Sequence, residues 1–523
     1  MNKKKAIPIA SAVILSLVIL FLSFGLWAEK DNIYSSLKLF SEILNNVHTK
    51  YVRQVNTQDL IQAAIDAMLK ELDPHTSYMD KDEYDEMRIG TRGEFGGLGI
   101  TIGMSKDILT VVSPLEGTPA FNAGILAGDR IVRIEGKSTE GITIQEAVKK
   151  LRGEPGTEVN ISIEREGARE FLDFTIVRDI IKIDAVPYSG MLTEDVGYVR
   201  LARFSAGAGN RLAHVVDSLR SDGAKKYIID LRDNSGGLLN QAIEVSEVFL
   251  DRGEEIVSTK GRLQGSNRKY LASSPSTVAG SPLIVLVNSG SASASEILSG
   301  TIQDWDRGLV VGIPTYGKGS VQQIIPLSNG TALRLTTAEW YTPSGRLINK
   351  ERQDEDAETA EQDTSAAPIE EELFHTVGGL NRIVHGGGGI TPDMELAEDT
   401  QNDFENQLVR DRRFFDFSVK YANAHKEAAQ PFKADRSVLK EFRSYLEENQ
   451  VSFTEADLDS SREFISRMIE QEVSGTLWGM AGRYRASLRW DPWVRRAISL
   501  LDMSQGSADL FALAEKTKVE GPR

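Results

Sequence analysis

The period of the hydrophobic positions changes along this chain, and each change predicts a different kind of element. After Lys3, Lys4 and Lys5, a continuous apolar stretch runs from Ala6 to Trp27. That is roughly the twenty residues needed to cross a bilayer, with the lysines expected on the cytoplasmic side. It is longer than the apolar part of a signal peptide and lacks an Ala-x-Ala cleavage site, so residues 1–30 read as an anchor in preference to a cleaved signal segment. From Asn32 to Met87 the period becomes helical: Ile33, Leu37, Phe40, Leu44 and Val47 form one stripe, and Leu60, Ala64, Met68 and Leu69 another. This predicts a helical region over 31–88 whose stripe faces a core. After Arg178, strand and helix patterns alternate. Val196 to Leu201, Tyr227 to Leu231 and Leu283 to Val287 read as strands; 212–219, 238–250 and 294–305 read as helices. Val321 to Leu327 and Ala332 to Tyr341 are strand-like, and the whole stretch 179–398 predicts an α/β core. Within it, residues 350–372 are acidic and nearly free of large apolar side chains, which predicts a mobile surface insert. From 399 to 523 the pattern is mainly helical.

The length of 523 residues predicts three or four domains with ample chain for a sizeable core. A net charge of -16 without basic clustering argues against nucleic-acid binding. The absence of cysteine excludes a thiol nucleophile, a disulfide and a lipidated cysteine. The six histidines show no metal-ligand spacing, so no metal or organic cofactor is expected.

The chemistry concentrates between Ser281 and Gln323. The apolar run Leu283 to Val287 is broken at Asn288, Ser289 and Gly290 before a helix opens at Ser293, a turn at which a serine hydroxyl can stand above a sheet edge. Ser293 and Glu296 also match a capping box, in which the serine only satisfies a helix amide. Lys318 and Gln322 change the balance, because an extended backbone would turn both to one face. A lysine acts as a base only when neutral, which requires its pKa to fall from about 10.4 toward 7 or 8, at roughly 4 kcal/mol. The Gln322 amide oxygen can orient such an amine without adding a negative charge that would raise its pKa again. Residues 312–319 stop short of a phosphate-binding loop, since Gly319 stands where Ser or Thr is needed and strands follow where a helix is needed. A serine-histidine-aspartate triad through His75 is the more serious rival; His75 reads as structural. A second break, after the strand Tyr227 to Leu231, places Gly236 and Gly237 before a helix, where bare backbone amides can approach a reacting carbonyl.

Residues 290–296, 312–319 and 321–323 together resemble the signature of the carboxy-terminal processing, or tail-specific, proteases, and the resemblance extends from about Leu37 to about Asp393. It implies that Ser293 is the nucleophile, Lys318 the general base and Gln322 the residue orienting the lysine. It also implies that the 232–237 loop lies opposite the serine, which makes the amides of Gly237 and Ala294 the candidate oxyanion donors, with Gly236 the close competitor. Residues 89–178 resemble a PDZ domain: Gly96, Gly97, Leu98, Gly99 and Ile100 resemble its carboxylate-binding loop, 119–129 the turn before a buried strand, and Ile142 to Leu151 the groove helix. Loop amides can hold a terminal carboxylate while the next strand adds the peptide as an extra strand.

The resulting expectation is a multidomain α/β protein: a serine-peptidase core with an inserted PDZ-like domain and helical N- and C-terminal regions. It is expected to be tethered in the inner membrane by residues 6–27, with its body on the periplasmic side of the cell envelope, and to cut proteins bearing apolar C-termini. The terminal helical regions are candidates for self-association or for docking an activating partner. The rival is a PDZ-type scaffold with an inactive protease-like domain, against which an intact Ser293, Lys318 and Gln322 argue.

Overall fold

A computed structural model describes residues 33–350, 372–397, 400–504 and 506–520. They belong to two compact units, one ending at Tyr78 and the other beginning at Met79. The segment read as an anchor, 6–27, and residues 351–371 of the acidic insert lie outside the described residues. Among the described residues, no helix is long and apolar enough to cross a membrane.

The first unit contains helices α1 (Ile33–Lys50) and α2 (Thr57–Lys70), the latter capped by the Asn56 side chain, which accepts from the Gln58 amide. The expected stripe is helical but not a core face: α1 buries no residue, and Ile33 and Leu37 are 65% and 54% exposed. Helical period specifies a face but not what covers it. Of the second stripe only Leu69 is buried. His75 lies in a turn where the Asp73 carboxylate accepts from the His75 amide and from both the amide and hydroxyl of Thr76. An aspartate-capped turn is reason enough for this segment.

The second unit opens with α3 (Lys81–Arg92), which carries an Asp80/Glu83 capping box and ends at Gly93 in the left-handed conformation that only glycine adopts cheaply. The PDZ-like region follows: β1 (Glu94–Gly97), β2 (Ile100–Ser105), β3 (Ile108–Pro114), α4 (Pro119–Asn122), β4 (Arg130–Ile134), α5 (Ile144–Leu151), β5 (Glu158–Glu164), β6 (Leu172–Val177) and β7 (Asp179–Lys182). Strands β2-β3-β4-β5-β6 form an antiparallel sheet with β2 at one edge, and β1 pairs with β7. Alternate residues such as Leu109, Val111, Ile131, Ile161 and Ile163 form its core with Ala147 and Leu151 of α5.

The larger α/β region contains β8 (Tyr188–Met191), β9 (Val196–Arg200), α6 (Ala208–Ser221), β10 (Lys226–Asp230), α7 (Leu239–Glu247), β11 (Glu255–Lys260), β12 (Arg268–Leu271), β13 (Leu283–Val287), α8 (Ala294–Asp304), β14 (Leu309–Gly312), β15 (Ser320–Pro326), β16 (Ala332–Tyr341), the hairpin β17 (Leu373–His375) and β18 (Ile383–His385), and β19 (Met394–Glu395). Its main sheet has the order β8-β9-β10-β13-β14-β19, parallel except at β8. Strands β15, β16, β11 and β12 build a second, antiparallel sheet. Parallel strands are normally buried on both faces, and every residue of β13 is buried. Tyr227, Ile229, Leu283 and Val285 face α6, α7 and α8, whereas Ile228, Ile284 and Leu286 face the other way.

That other face accounts for part of the C-terminal region. After α9 (Asp403–Arg410), α10 (Arg413–Ala424), α11 (Arg436–Glu448), α12 (Glu455–Ser460) and the long run α13 (Arg462–Trp490), which breaks at Trp478 and Gly479, come α14 (Pro492–Met503) and α15 (Ser507–Glu520). Phe414, Phe417, Phe442, Leu446, Ile465 and Ile469 form a separate aromatic-rich core within α9 to α13. Val494, Leu500, Leu501, Leu510 and Phe511 instead cover the main sheet. Residues 399–523 are therefore not one helical body: their last two helices complete the α/β core.

Candidate active site

The turn at the carboxyl end of β13 is stitched by hydroxyls and carbonyls. Ser291 Oγ donates to the Leu231 carbonyl and Ser295 Oγ to the Asn234 carbonyl, each at 2.8 Å, and the Ala292 amide also donates to Asn234. Both serines are fully buried. Between them, Ser293 is partly exposed at the N-cap of α8, with φ +54° and ψ −109°. A non-glycine residue held there costs about 1–3 kcal/mol, a strain that accumulates at functional sites.

The loop after β10 lies directly against this turn. Gly236 and Gly237 have φ of +96° and +150°. A Cβ on Gly236 would stand 2.6 Å from the Ala292 carbonyl oxygen, 2.9 Å from the Ala294 amide nitrogen and 3.0 Å from Ser293 Cβ, so glycine is what lets the two backbones meet. The Gly236 amide donates to the Asn234 side chain. The bridge to Phe204 uses the Gly236 carbonyl and the Leu238 amide, leaving the Gly237 amide out of that ladder. Ala294, the first residue of α8, contributes one of the four amides that a helix start leaves without an intrahelical acceptor.

The root of this loop is a buried charge cluster. Asp230 accepts from the Tyr198 hydroxyl at 2.7 Å, from Arg200 at 3.0 Å and from Arg232, whose guanidinium also reaches Asp491, the N-cap of α14. Burial pushes the Asp230 carboxyl up, but the Arg232 and Arg200 guanidiniums and the Tyr198 hydroxyl outweigh it and hold it down at about 2.

The Lys318 loop meets the serine turn at Glu296. Glu296 is fully buried. Its Oε2 accepts from the Ser293 amide at 2.6 Å and the Lys318 amide at 3.0 Å, and its Oε1 from the Thr315 hydroxyl at 2.6 Å and the Gly317 amide at 2.7 Å. The capping box is present, and the same carboxylate binds the lysine loop to the serine turn. Burial pushes the Glu296 carboxyl above the ordinary range, while its donors, Thr315 first, pull it back. The Trp340 indole donates to the Lys318 carbonyl and Asn349 accepts from the Gly319 amide, so the lysine backbone is fixed on both sides.

Alternation alone does not bring Lys318 and Gln322 to one face. Strand β15 begins only at Ser320, and its register shifts between Val321 and Gln322. Gln322 donates its amide nitrogen to Ser320 Oγ at 2.7 Å and to Thr336 Oγ1 at 3.4 Å. Sequence reasoning treated Glu296 as a cap and passed over Thr315, Asn234 and Asn349. A glutamate at the third helical position is the signal for the cap; its second role depends on a loop nineteen to twenty-two residues later and has no local signature.

In the PDZ-like region, Leu98 is buried and its carbonyl accepts from Ala120, while the Gly99 carbonyl accepts from Leu115 and from the Thr118 hydroxyl. Gly99 has φ +75°, and a Cβ there would lie 2.3 Å from Thr118; one on Gly96 would lie 2.1 Å from the Gly153 carbonyl oxygen. The loop formed by Gly96, Gly97, Leu98 and Gly99 is thereby pinned between α4 and the end of α5, and Ile100 begins the edge strand β2. Among the described residues no group of three or more His, Cys, Asp or Glu converges as a metal site would require.

Four family profiles match the chain: peptidase family S41 over residues 195–359, a PDZ domain over 96–176, the "Activating protease CtpB N-terminal domain" over 27–83, and the "Probable PDZ-protease, C-terminal helical domain" over 404–456. A carboxy-terminal-processing protease of Bartonella bacilliformis is 45% identical over 350 residues, which cover 66% of this chain and 80% of that protein. The carboxy-terminal processing protease CtpA of Bacillus subtilis is 34% identical over 317 residues, 60% of this chain and 67% of its own. Among solved structures, a photosystem II D1 C-terminal processing protease aligns at 30% identity over 58% of this chain and 83% of its own, with a TM-score of 0.35.

Proposed function

This chain belongs to the carboxy-terminal processing proteases of peptidase family S41, and from that premise we propose that it is an exported serine endopeptidase working through Ser293 and Lys318 on proteins captured by their C-terminal tails. Ser293 Oγ attacks the scissile carbonyl while neutral Lys318 takes its proton and then delivers it to the leaving amine. The amides of Gly237 and Ala294 hold the developing oxyanion, each such donor contributing about 3 kcal/mol. Water, deprotonated by Lys318, then hydrolyses the acyl-enzyme. Gln322 orients the amine. The Gly96 to Ile100 loop receives an apolar tail, β2 pairs with it, and residues 6–27 tether the protein to the inner membrane with its body on the periplasmic side.

The observation that carries this reading is the Glu296 carboxylate, which accepts from the Ser293 and Lys318 amides together. A carboxylate at that junction ties a serine turn and a lysine loop into one construction, as a scaffold with an idle protease-like domain would not require. The test is cleavage of an unfolded protein by the full chain. Ser293→Ala and Lys318→Arg should each abolish it without unfolding, since a guanidinium does not deprotonate near neutral pH, while His75→Ala should keep substantial activity. Cleavage by a folded Ser293→Ala protein would end the assignment.

A further inference from the structure

The edge of β2 on which a tail would pair is not open along its whole length. Lys106 and Asp107, both at positive φ, close a two-residue hairpin between β2 and β3. In such a hairpin the residues flanking the turn, Ser105 and Ile108, exchange hydrogen bonds, and the next pair, Met104 and Leu109, does not. The amide and carbonyl of Met104 therefore point away from β3, to the edge that a tail would use. At that edge the Met104 carbonyl accepts from Arg412 Nη1 at 3.0 Å.

Arg412 stands at the junction of α9 and α10, at φ +54°. Its guanidinium lies 4.9 Å from the centre of the Phe415 ring and acts on the buried Glu472 carboxylate, so it is held in place. The helical region also covers the outer face of β2. A Cβ on Gly103 would lie 2.6 Å from Arg412 Nη1, the Ser105 hydroxyl donates to Asp416, and a Cβ on Gly128 would lie 2.4 Å from Val419. Residues 103 and 105 share one face of the strand, as the period of two requires.

We propose that Arg412 sets the reach of the tail site: by occupying the Met104 carbonyl it ends strand pairing there, so that the enzyme reads only the last few residues of a substrate and makes the upstream chain turn away. This rests on the tail-binding reading of the Gly96 to Ile100 loop. With its carboxylate at that loop, a tail runs antiparallel to β2. From Ile100 to Met104 it covers roughly five residues at about 3.3 Å each before it meets the guanidinium. A longer tail adds no further pairs unless Arg412 moves.

The experiment is binding of fluorescent tail peptides to the full chain carrying Ser293→Ala, which prevents turnover. Peptides with one apolar C-terminal sequence are lengthened stepwise from about three to about ten residues, as acids and as C-terminal amides. With Arg412 present, affinity should rise to about five residues and then stay flat; Arg412→Ala should let it rise further, by about fivefold or more, as additional backbone pairs form. Gly103→Ala, whose methyl displaces the guanidinium without straining the backbone, should reproduce the longer profile and carries the test if Arg412→Ala does not fold. An identical plateau in all three proteins, or affinity that already climbs to the longest peptide with Arg412 in place, overturns the proposal. Equal binding of acid and amide by the parent overturns the tail-site reading itself, and this inference with it. Loss of the acid preference in the variants alone would make Arg412 a support of the loop and also overturn the proposal.

Discussion

Two buried carboxylates near the candidate site are held in opposite ways. Asp230, 2% exposed, is surrounded by the guanidiniums of Arg200 and Arg232, with Tyr198 donating as well. Glu296, fully buried, accepts from three backbone amides and one hydroxyl. The charge of Asp230 is cancelled, and its carboxyl is held down at about 2. The charge of Glu296 is solvated by hydrogen bonds from Thr315, Lys318, Gly317 and Ser293, and burial leaves its carboxyl raised. An ion cluster suits a joint that only has to stay closed, here the root of the glycine loop against the N-terminus of α14. A carboxylate with four hydrogen-bond donors from two loops fixes the positions of the two backbone segments that carry Ser293 and Lys318. The first arrangement serves the scaffold; the second serves the geometry of the site.

The largest effect expected from this contrast is on stability. Asp230→Asn leaves the half-buried Arg200 beside a neutral amide and Arg232 with Asp491 and the Trp493 ring, and breaking an ion cluster around a buried carboxylate from one side costs about 3–5 kcal/mol. Chemical denaturation should show that loss at neutral pH, while the folded fraction keeps most of its kcat. A folded variant of normal stability with lost kcat would reverse the roles assigned to the two groups.

Glu296→Gln should behave the other way round. A carboxamide presents one acceptor oxygen and one NH2, so whichever way it turns, two of the four donors face another donor. The Lys318 loop then relaxes away from the Ser293 turn, and a displacement of about 1 Å lowers kcat roughly a hundredfold. The same substitution removes a buried charge, which offsets part of the cost of the unsatisfied donors, so it should lose less stability than Asp230→Asn. Peptidase rates at saturating substrate beside denaturation midpoints decide the matter; unchanged kcat would leave Glu296 as a helix cap and nothing more.

The two carboxylates should also separate by pH. The folded-state pKa of Asp230 lies below its unfolded value of about 3.9, so its stabilisation is complete above that value and lost as pH falls toward about 2. The pKa of Glu296 is raised, so its contribution to stability is complete below the ordinary glutamate value and withdrawn as pH rises through the raised one. Catalysis needs the ionised form as acceptor, so activity should fall on acidification above the ordinary glutamate range while stability does not. Glu296→Gln should erase that acid limb and leave the requirement for a neutral Lys318 in place. An acid limb at the same pH in Glu296→Gln would assign it elsewhere.

What the sequence disclosed follows the range of the interactions. The strands and helices of the α/β core were readable because the apolar run of β13 and the break at Asn288 are local. Ser293 and Lys318 stood out through flanking glycines and small residues. The exposed face of α1 was misjudged, because a stripe does not name its cover. The strands β11 and β12 carried no comparable apolar signal, and α14 and α15 gave no sign that they cover the main sheet. The strand alternation expected from Lys318 to Gln322 is interrupted by a late strand start and a register shift, neither of which has a residue signature. Glu296 was visible as a cap and hidden as a junction, since its second set of donors comes from a loop beyond α8 and β14.

The smallest effect belongs to the neutral stitching around Ser293, and it tests whether the burden rests on Glu296 or is shared by every buried bond of the turn. Ser295 Oγ donates to the Asn234 carbonyl at 2.8 Å, and that carbonyl also accepts from the Ala292 amide at 3.0 Å. Ser295→Ala therefore removes a donor without leaving the acceptor bare, a change worth about 1 kcal/mol. Activity should stay within about threefold of the parent, since 1.4 kcal/mol corresponds to tenfold and little of the loss reaches the reacting atoms. The same variant also removes a neighbouring hydroxyl that would otherwise be an alternative nucleophile. A loss in Ser295→Ala as large as that in Glu296→Gln would mean that the turn is held as one cooperative hydrogen-bond network, and the distinction between a neutral frame and an ionised junction would fall.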